Sequence, residues 1–297
     1  MAKLLRSAPY SLAVMNRWKI GDVTVTRVVE LEMTGGTRFI LPDALRDAVK
    51  PIAWLRPHFA DADGNLIMSI HALVVETPDR RILVDTCLGN DKPRNIPAWH
   101  MRSGPFLRDL EAAGYPVDSI DTVLCTHLHV DHVGWNTRLD DRGRWVATFP
   151  RARYLFGREE WEHWSKVEAE AYGSVIEDSV RPIVDAGLHQ LVEVDHRVCD
   201  EITLEPTRGH TPGHVSVRIR SRGEEALITG DFVHHPCQMA RPDWCSSADT
   251  DREQGKETRL RMLESLAGKP VLVIGTHFAT PTAGRVVKDG DAWRFVV

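Results

Sequence analysis

The apolar positions of this chain fall into short β-branched runs, and several of those runs end on a histidine or an aspartate. Residues 23–31 carry Val23, Val25, Val28 and Val29 without a helical period, which predicts an early strand closed by Thr34-Gly35-Gly36. Residues 70–76 and 81–84 predict a hairpin turned at Pro78-Asp79. Further strands are expected at 122–125, 149–156, 202–206, 215–219, 226–229 and 271–274, with a closing hairpin over 285–297 turned at Asp289-Gly290.

Between these runs the period changes. Residues 104–113 space Phe106, Leu107, Leu110 and Ala113 as one helical face and stop at Gly114 in the C′ position. Residues 158–171 and 175–186 read as helical, with Trp161 and Trp164 one turn apart as a core-facing stripe. Thr250 and Glu253 have the form of a capping box before a helix that places Leu260, Leu263 and Leu266 on one face and ends at Gly268. Residues 38–65 are irregular, with a short helix at 42–49, and read as an insertion able to serve as a lid. Strands and helices alternate on both sides of about residue 190 with no linker between them. The expectation is one α/β domain over 1–297, two sheets packed face to face with helices outside, and 157–187 as a helical segment between the halves.

Composition narrows the partners. With 42% apolar and 27% charged residues the chain has the means to bury a core. A net charge of -5 and the lack of a Lys/Arg run speak against nucleic acid. No stretch is long and apolar enough to suggest a membrane span, and the first residues lack a secretory apolar region. The odd, scattered cysteines Cys87, Cys125, Cys199, Cys237 and Cys245 suggest neither disulfides nor a thiolate zinc site, so a cytoplasmic location is expected.

The densest chemistry follows the strand at 122–125, where His127, His129, Asp131 and His132 stand within a few residues. In an extended segment His127 and His129 leave on the same side and can grip one ion, while Asp131 and His132 follow as the chain turns at Gly134. Two ions suit this better than one. The same ending recurs in Asp85, in His210 of Gly209-His210-Thr211-Pro212-Gly213-His214, in Asp231 after Gly230, and in His277. Loops at the ends of rigid strands are where sites are built. His58, His100, His163, His189 and His196 lack such a context and are expected at the surface, whereas His71, His234 and His235 are left open.

The His127-X-His129-X-Asp131-His132 signature, with His210, Asp231 and His277 in this order, resembles the metallo-β-lactamase superfamily over roughly residues 70–278. That resemblance implies an αβ/βα sandwich with a dinuclear site at one edge. It puts His127, His129 and His210 on one ion and Asp131, His132 and His277 on the other. Asp231 bridges them, Asp85 supports the site from behind, and His214 is either a support or simply packed, not a ligand.

Nitrogen and carboxylate donors without thiolate suit two zinc ions, with manganese, iron or cobalt as alternatives. Such a pair lowers the pKa of bound water from 15.7 to about 7. The reading is therefore a hydrolase in which metal-activated water attacks a lactone or aryl ester carbonyl. Asp131 orients that water, and Asp131 or His234 returns the proton to the leaving group.

Within the superfamily the group of N-acyl homoserine lactonases and methyl parathion hydrolase-like enzymes is most similar. The short run after His277 is not the C-terminal helical domain of glyoxalase II, and His129 stands where flavodiiron oxidases have Glu. Quorum-signal lactonases commonly carry Tyr three residues after the bridging Asp, where this chain has His234. A phosphotriesterase is the principal alternative, and a β-lactamase, a mononuclear-iron persulfide dioxygenase and a degenerate scaffold are lesser ones. The expected partner is a small neutral lactone or ester, in a pocket built from Trp54, Phe59, Met239, Pro242 and Trp244, with a homodimer as the one protein association left open.

Overall fold

A computed structural model describes residues 16–167 and 171–297 of the chain. In chain order the first half runs β1 (Arg17–Ile20), β2 (Val23–Thr34), α1 (Arg46–Val49), β3 (Ile67–Glu76), β4 (Arg81–Val84), α2 (Phe106–Ala112), β5 (Thr122–Leu124), β6 (Thr137–Leu139), β7 (Trp145–Ala147), β8 (Arg153–Gly157), α3 (Arg158–Trp164), α4 (Arg181–Asp185) and β9 (His189–Val192). The second half runs β10 (Ile202–Pro206), β11 (Val215–Ser221), β12 (Glu224–Ile228), α5 (Cys237–Ala240), α6 (Arg252–Leu266), β13 (Val271–Ile274), β14 (Ala283–Asp289) and β15 (Ala292–Val296).

The strands form a seven-stranded sheet, ordered β1-β2-β3-β4-β5-β8-β9, and a six-stranded sheet, ordered β10 to β15. The period of two explains why they stack. In β3, Leu73 and Val75 enter the layer between the sheets, whereas Ile70, Ala72 and Val74 face the layer under α2 and α4. In β12 and β13, Ala226, Ile228 and Ile274 join the same central layer, while Leu227, Val271 and Val273 turn outward beneath α6. Strands that are apolar on both faces need cover on both, and the helices supply it. This is the two-sheet α/β sandwich that the sequence pattern and the resemblance led us to expect.

Some elements depart from expectation. β1, β9 and the β6–β7 hairpin were not foreseen, because RWKI, HQLV, TRL and WVA are too short or too polar to carry a period. The strand expected over 149–156 begins only at Arg153, where pairing with β5 starts. α3 stops at Trp164, and part of the helix expected over 158–171 lies outside the described residues. The helix expected over 175–186 is a π-helical turn, Ile176–Val180, followed by α4, with Pro182 in its first turn where a missing N–H is tolerated. The cap of α6 is Asp251, whose side chain accepts from the Gln254 N–H at 3.0 Å, and not Thr250. Thr250 lies one residue before the cap, its N–H donating to the His210 carbonyl at 2.9 Å. Among the described residues no helix is long and apolar enough to cross a membrane.

Candidate metal centre

β4 and β5 are parallel, as are β12 and β13, so ligand-bearing loops leave the carboxyl ends of both pairs. Asp85 follows β4, the segment 126–132 follows β5, Asp231 follows β12 and His277 follows β13; His210 sits on the turn between β10 and β11. The turn after His132 demands glycine. A β-carbon on Gly134 would lie 1.9 Å from the Leu88 carbonyl oxygen, because the Gly134 and Trp135 N–H groups donate to the Cys87 and Thr86 carbonyls at 2.8 Å.

These loops bring every expected ligand to one buried cluster. Around Asp231 Oδ2 stand the Nε2 atoms of His277 and His234 at 3.2 Å, His132 at 3.4 Å, His210 at 3.5 Å and His127 at 3.9 Å. His129 presents Nδ1, 2.9 Å from His210 Nε2. Asp131 lies beside the others, 3.6 Å from His277 Nε2 and 3.7 Å from His132 Nε2. The donor atoms of His127, His129 and His210 form one group able to hold a cation, and those of Asp131, His132 and His277 form another.

The far side of each ring explains its orientation. His132 Nδ1–H donates to Asp85 Oδ2 at 2.9 Å and His277 Nδ1–H to the Ser69 carbonyl at 3.0 Å. His127 Nδ1–H meets Thr126 Oγ1 at 3.1 Å, and that hydroxyl donates in turn to Asp85 at 2.9 Å. With Nδ1–H engaged on the far side, each ring turns Nε2 toward the cluster, the nitrogen on which a metal would take the place of a proton.

The electrostatics match. Burial and the neighbouring imidazoles hold His127, His129 and His210 well below the ordinary histidine range, so they are neutral donors. Burial opposes charge on His132 and His277 too, but the carboxylates of Asp231 and Asp131 outweigh it and raise both. Burial likewise opposes charge on Asp231, and the rings of His277, His132 and His234 overcome it, holding that carboxyl well below its usual range. His127 Nε2 and Asp231 Oδ1 are buried without a hydrogen-bond partner and both face the cluster. Orphaned donor atoms in an all-nitrogen, all-oxygen set fit divalent cations such as zinc.

The family model described as Metallo-beta-lactamase superfamily matches residues 68–277. The chain belongs to that superfamily. It is similar to a probable metallo-hydrolase of Mycobacterium tuberculosis, 26% identical in an alignment of 190 residues that covers 56% of this chain and 57% of that protein. It is similar to an N-acyl homoserine lactonase of Bacillus thuringiensis, 24% identical over 181 residues, covering 56% of this chain and 64% of the lactonase. The chain thus spans little more than half the length of the curated relatives it matches. Among solved structures, AidC, a dizinc quorum-quenching lactonase in complex with its product, superposes with a TM-score of 0.77 at 20% identity, over 95% of this chain and 96% of that one. The hydrolase AbOPH superposes with a TM-score of 0.78 at 24% identity, over the same shares. At such identities the likeness shows the superfamily fold.

Besides His214, which the sequence leaves between support and simple packing, two carboxylates of this site lay beyond sequence reasoning. His214 stands behind Asp231, its Nδ1–H donating to the Thr207 carbonyl at 2.9 Å and its Nε2 accepting from the Asp231 N–H at 2.6 Å. Glu160, on α3, accepts from the N–H groups of Leu128 and Gly213 at 3.1 and 2.8 Å, tying the two histidine loops together. Asp249 accepts from His210 Nδ1–H at 2.8 Å. Neither carboxylate sits near a recognisable motif; only three-dimensional proximity reveals them.

The cluster floors a cavity whose apolar walls include Met33, Phe39, Ile40, Met68, Trp99 and Tyr172, with His129, Asp131, His210, Asp231, His234 and His277 at its base. Phe39 and Trp99 meet edge to face at 5.7 Å, and Trp99 and Tyr172 lie 6.0 Å apart. The aromatics expected here are elsewhere. Phe59 and Met239 are core residues of the layer beneath α6, with Trp54 and Trp244 packed against that layer, and the Pro242 carbonyl accepts from Arg259. The expected surface histidines, His58, His100, His163, His189 and His196, all lie outside the cluster, exposed or half-buried. His71 and His235 are buried; His235 Nε2–H donates to the Phe59 carbonyl at 2.8 Å and its Nδ1 accepts from the Cys237 N–H at 3.0 Å.

Proposed function

We propose that this chain is a dinuclear metal-dependent hydrolase that opens small neutral lactones or cleaves carboxylic aryl esters. The observation that carries the reading is two metal-fitting groups of His and Asp residues standing on either side of Asp231 at the base of a cavity with apolar walls and no Lys or Arg among its described lining residues. Such a cavity favours a substrate that is neutral apart from its reacting carbonyl.

His127, His129 and His210 would hold one ion, Asp131, His132 and His277 the other, with Asp231 between them. When bound, zinc ions supply Lewis acidity toward the carbonyl oxygen and acidify water from 15.7 to about 7. Asp131 has the most exposed of the carboxylates in the cluster, with 16% of its side chain accessible, and lines the cavity. It is placed to orient the attacking water, accept its proton and pass that proton to the departing alkoxide. His234 lines the same cavity with neither ring nitrogen in a hydrogen bond and Nε2 3.2 Å from Asp231 Oδ2, and is the second group able to return the proton. The apolar wall of Met33, Phe39, Met68, Trp99 and Tyr172 binds the acyl or aryl portion and excludes bulk water.

A neutral aryl phosphotriester suits the same walls and remains the second reading. A β-lactam carries a carboxylate for which the described lining residues offer no Lys or Arg, and a mononuclear-iron reading leaves the second ligand group without a task. The cysteines are all unpaired, which supports a cytoplasmic setting. The test is acid release in a pH-stat from a panel of neutral lactones, aryl esters and one phosphotriester, with zinc-loaded and chelator-stripped protein. Metal-dependent release from a lactone or ester is the expected result. Release from the phosphotriester alone selects the second reading, and silence from metal-loaded protein overturns ester hydrolysis.

A further inference from the structure

The geometry points to Asp249 as the positioning carboxylate of one metal, fixing His210 in its ligand form, with Arg259 fixing Asp249 in turn. This rests on the reading of the cluster as a metal centre and is independent of the substrate. Three of the four Nε2-presenting ligand rings have their Nδ1–H engaged by Thr126 Oγ1 for His127, Asp85 for His132 and the Ser69 carbonyl for His277. For His210 that acceptor is the Asp249 carboxylate, on the loop entering α6.

Asp249 divides its two oxygens between separate tasks. Oδ2 accepts from the Ser246 N–H at 2.9 Å and lies 3.7 Å from Arg259, whereas Oδ1 accepts from His210 Nδ1–H at 2.8 Å. The Asp249 side chain and His210 are each only 1% exposed, so no water replaces either bond. Arg259 is wholly buried on α6; its Nε–H donates to the Phe232 carbonyl, next to Asp231, at 3.0 Å, and another N–H to the Pro242 carbonyl at 2.7 Å. One guanidinium thus holds the loop of the bridging aspartate, the loop that ends at Asp249, and the charge on Asp249. The backbone repeats the clasp, with Thr250 and Asp251 N–H groups donating to the carbonyls of His210 and Gly209 at 2.9 Å.

Asparagine cannot copy this. If its oxygen faces His210, its amide opposes the Ser246 N–H. If its amide faces His210, the ring must accept at Nδ1 and carry its proton on Nε2, which then points a hydrogen at the ion. The loss should therefore fall on the ion held by His127, His129 and His210, and spare the other.

Two measurements test this. On metal-free wild-type protein, the ring nitrogen shifts of His210 in an NMR spectrum should report an Nδ1–H tautomer; an Nε2–H tautomer overturns the proposal whether or not any variant folds. In Asp249→Asn, zinc titration against a chromophoric chelator should show one of two ions weakened about 10- to 100-fold, with the melting temperature of the metal-free protein unchanged. Adding His277→Ala should remove the ion that remains, whereas adding His129→Ala should change little further. Two ions bound with wild-type affinity, or both weakened alike, overturns it. Neither readout uses turnover, so the assignment stands or falls separately from ester hydrolysis.

Discussion

His214 Nε2 lies 2.6 Å from the backbone nitrogen of Asp231 and accepts its N–H, while the opposite ring nitrogen donates to the Thr207 carbonyl. The ring is thereby fixed in one tautomer and holds the main chain, not the side chain, of the residue between the two ligand groups. Gly230 makes room for it, taking φ 56° where a β-carbon would lie 2.6 Å from His214 Nε2. His214→Ala leaves a buried N–H unpaired and should cost about 1–3 kcal/mol. Urea unfolding of metal-free protein checks this, and an unchanged midpoint would remove His214 from the support of Asp231.

Removal of a central ligand should separate from removal of a peripheral histidine. His127→Ala and Asp231→Ala are expected to lower bound metal and to abolish turnover. His163→Ala, which only loses an edge contact with Trp164 at 4.8 Å, should do neither. Metal analysis beside the pH-stat assay decides, and full activity in the Asp231 variant would sink its bridging role.

Gly134 offers a backbone test of the ligand loop. Its missing side chain lets the strand end at Asp85 and the loop at His132 meet through the Thr86 N–H and the His132 carbonyl, 2.7 Å apart. Gly134→Ala places a methyl group against the Leu88 carbonyl and should destabilise the protein by about 3 kcal/mol while loosening metal binding. A variant with wild-type stability and metal content would show that this approach is not required.

Lys92 gives a stability that depends on pH away from the metal cluster. Burial drives its ammonium down to about 7 from an ordinary 10.5, against the pull of Asp178, whose carboxylate is 3.5 Å away and already engaged by Arg94. Between those values the unfolded chain keeps a proton that the folded protein has released, so unfolding free energy rises with pH across that window. The stability of wild type relative to Lys92→Met should therefore increase from about pH 7 to about pH 10. Urea midpoints at several pH values check this, and a flat difference would reject it.

The cavity wall should control substrate binding more than chemistry. Trp99→Ala removes an aromatic side chain that packs between Phe39 and Tyr172, and should raise KM for an aryl ester about 10-fold with little change in kcat. A fall in kcat at constant KM would instead place Trp99 in contact with the reacting group.

Much of this protein was legible before any coordinates. Runs such as Val271–Ile274 and Arg81–Val84 announce strands because both faces are apolar, and His127, His129, Asp131 and His132 announce a centre because their spacing leaves little else for them to do. His210, Asp231 and His277 were legible for a weaker reason: each follows a strand-like run. What was not legible has no local signature. Edge strands β1 and β9 borrow their conformation from a neighbour's hydrogen bonds, and the cap of α6 falls on Asp251, one residue beyond the Thr250 that the capping-box pattern selected.

The sequence by itself determined which histidines and aspartates were candidates for the cluster, since metal chemistry restricts donors to a few side chains and the strand period fixes which of them leave together. Only the tertiary structure decided their partners and the pocket. Asp249, Glu160 and the wall of Met33, Phe39, Trp99 and Tyr172 come from segments far apart in the chain, and a hydrogen bond or an apolar contact depends on distance in space, which local pattern does not encode.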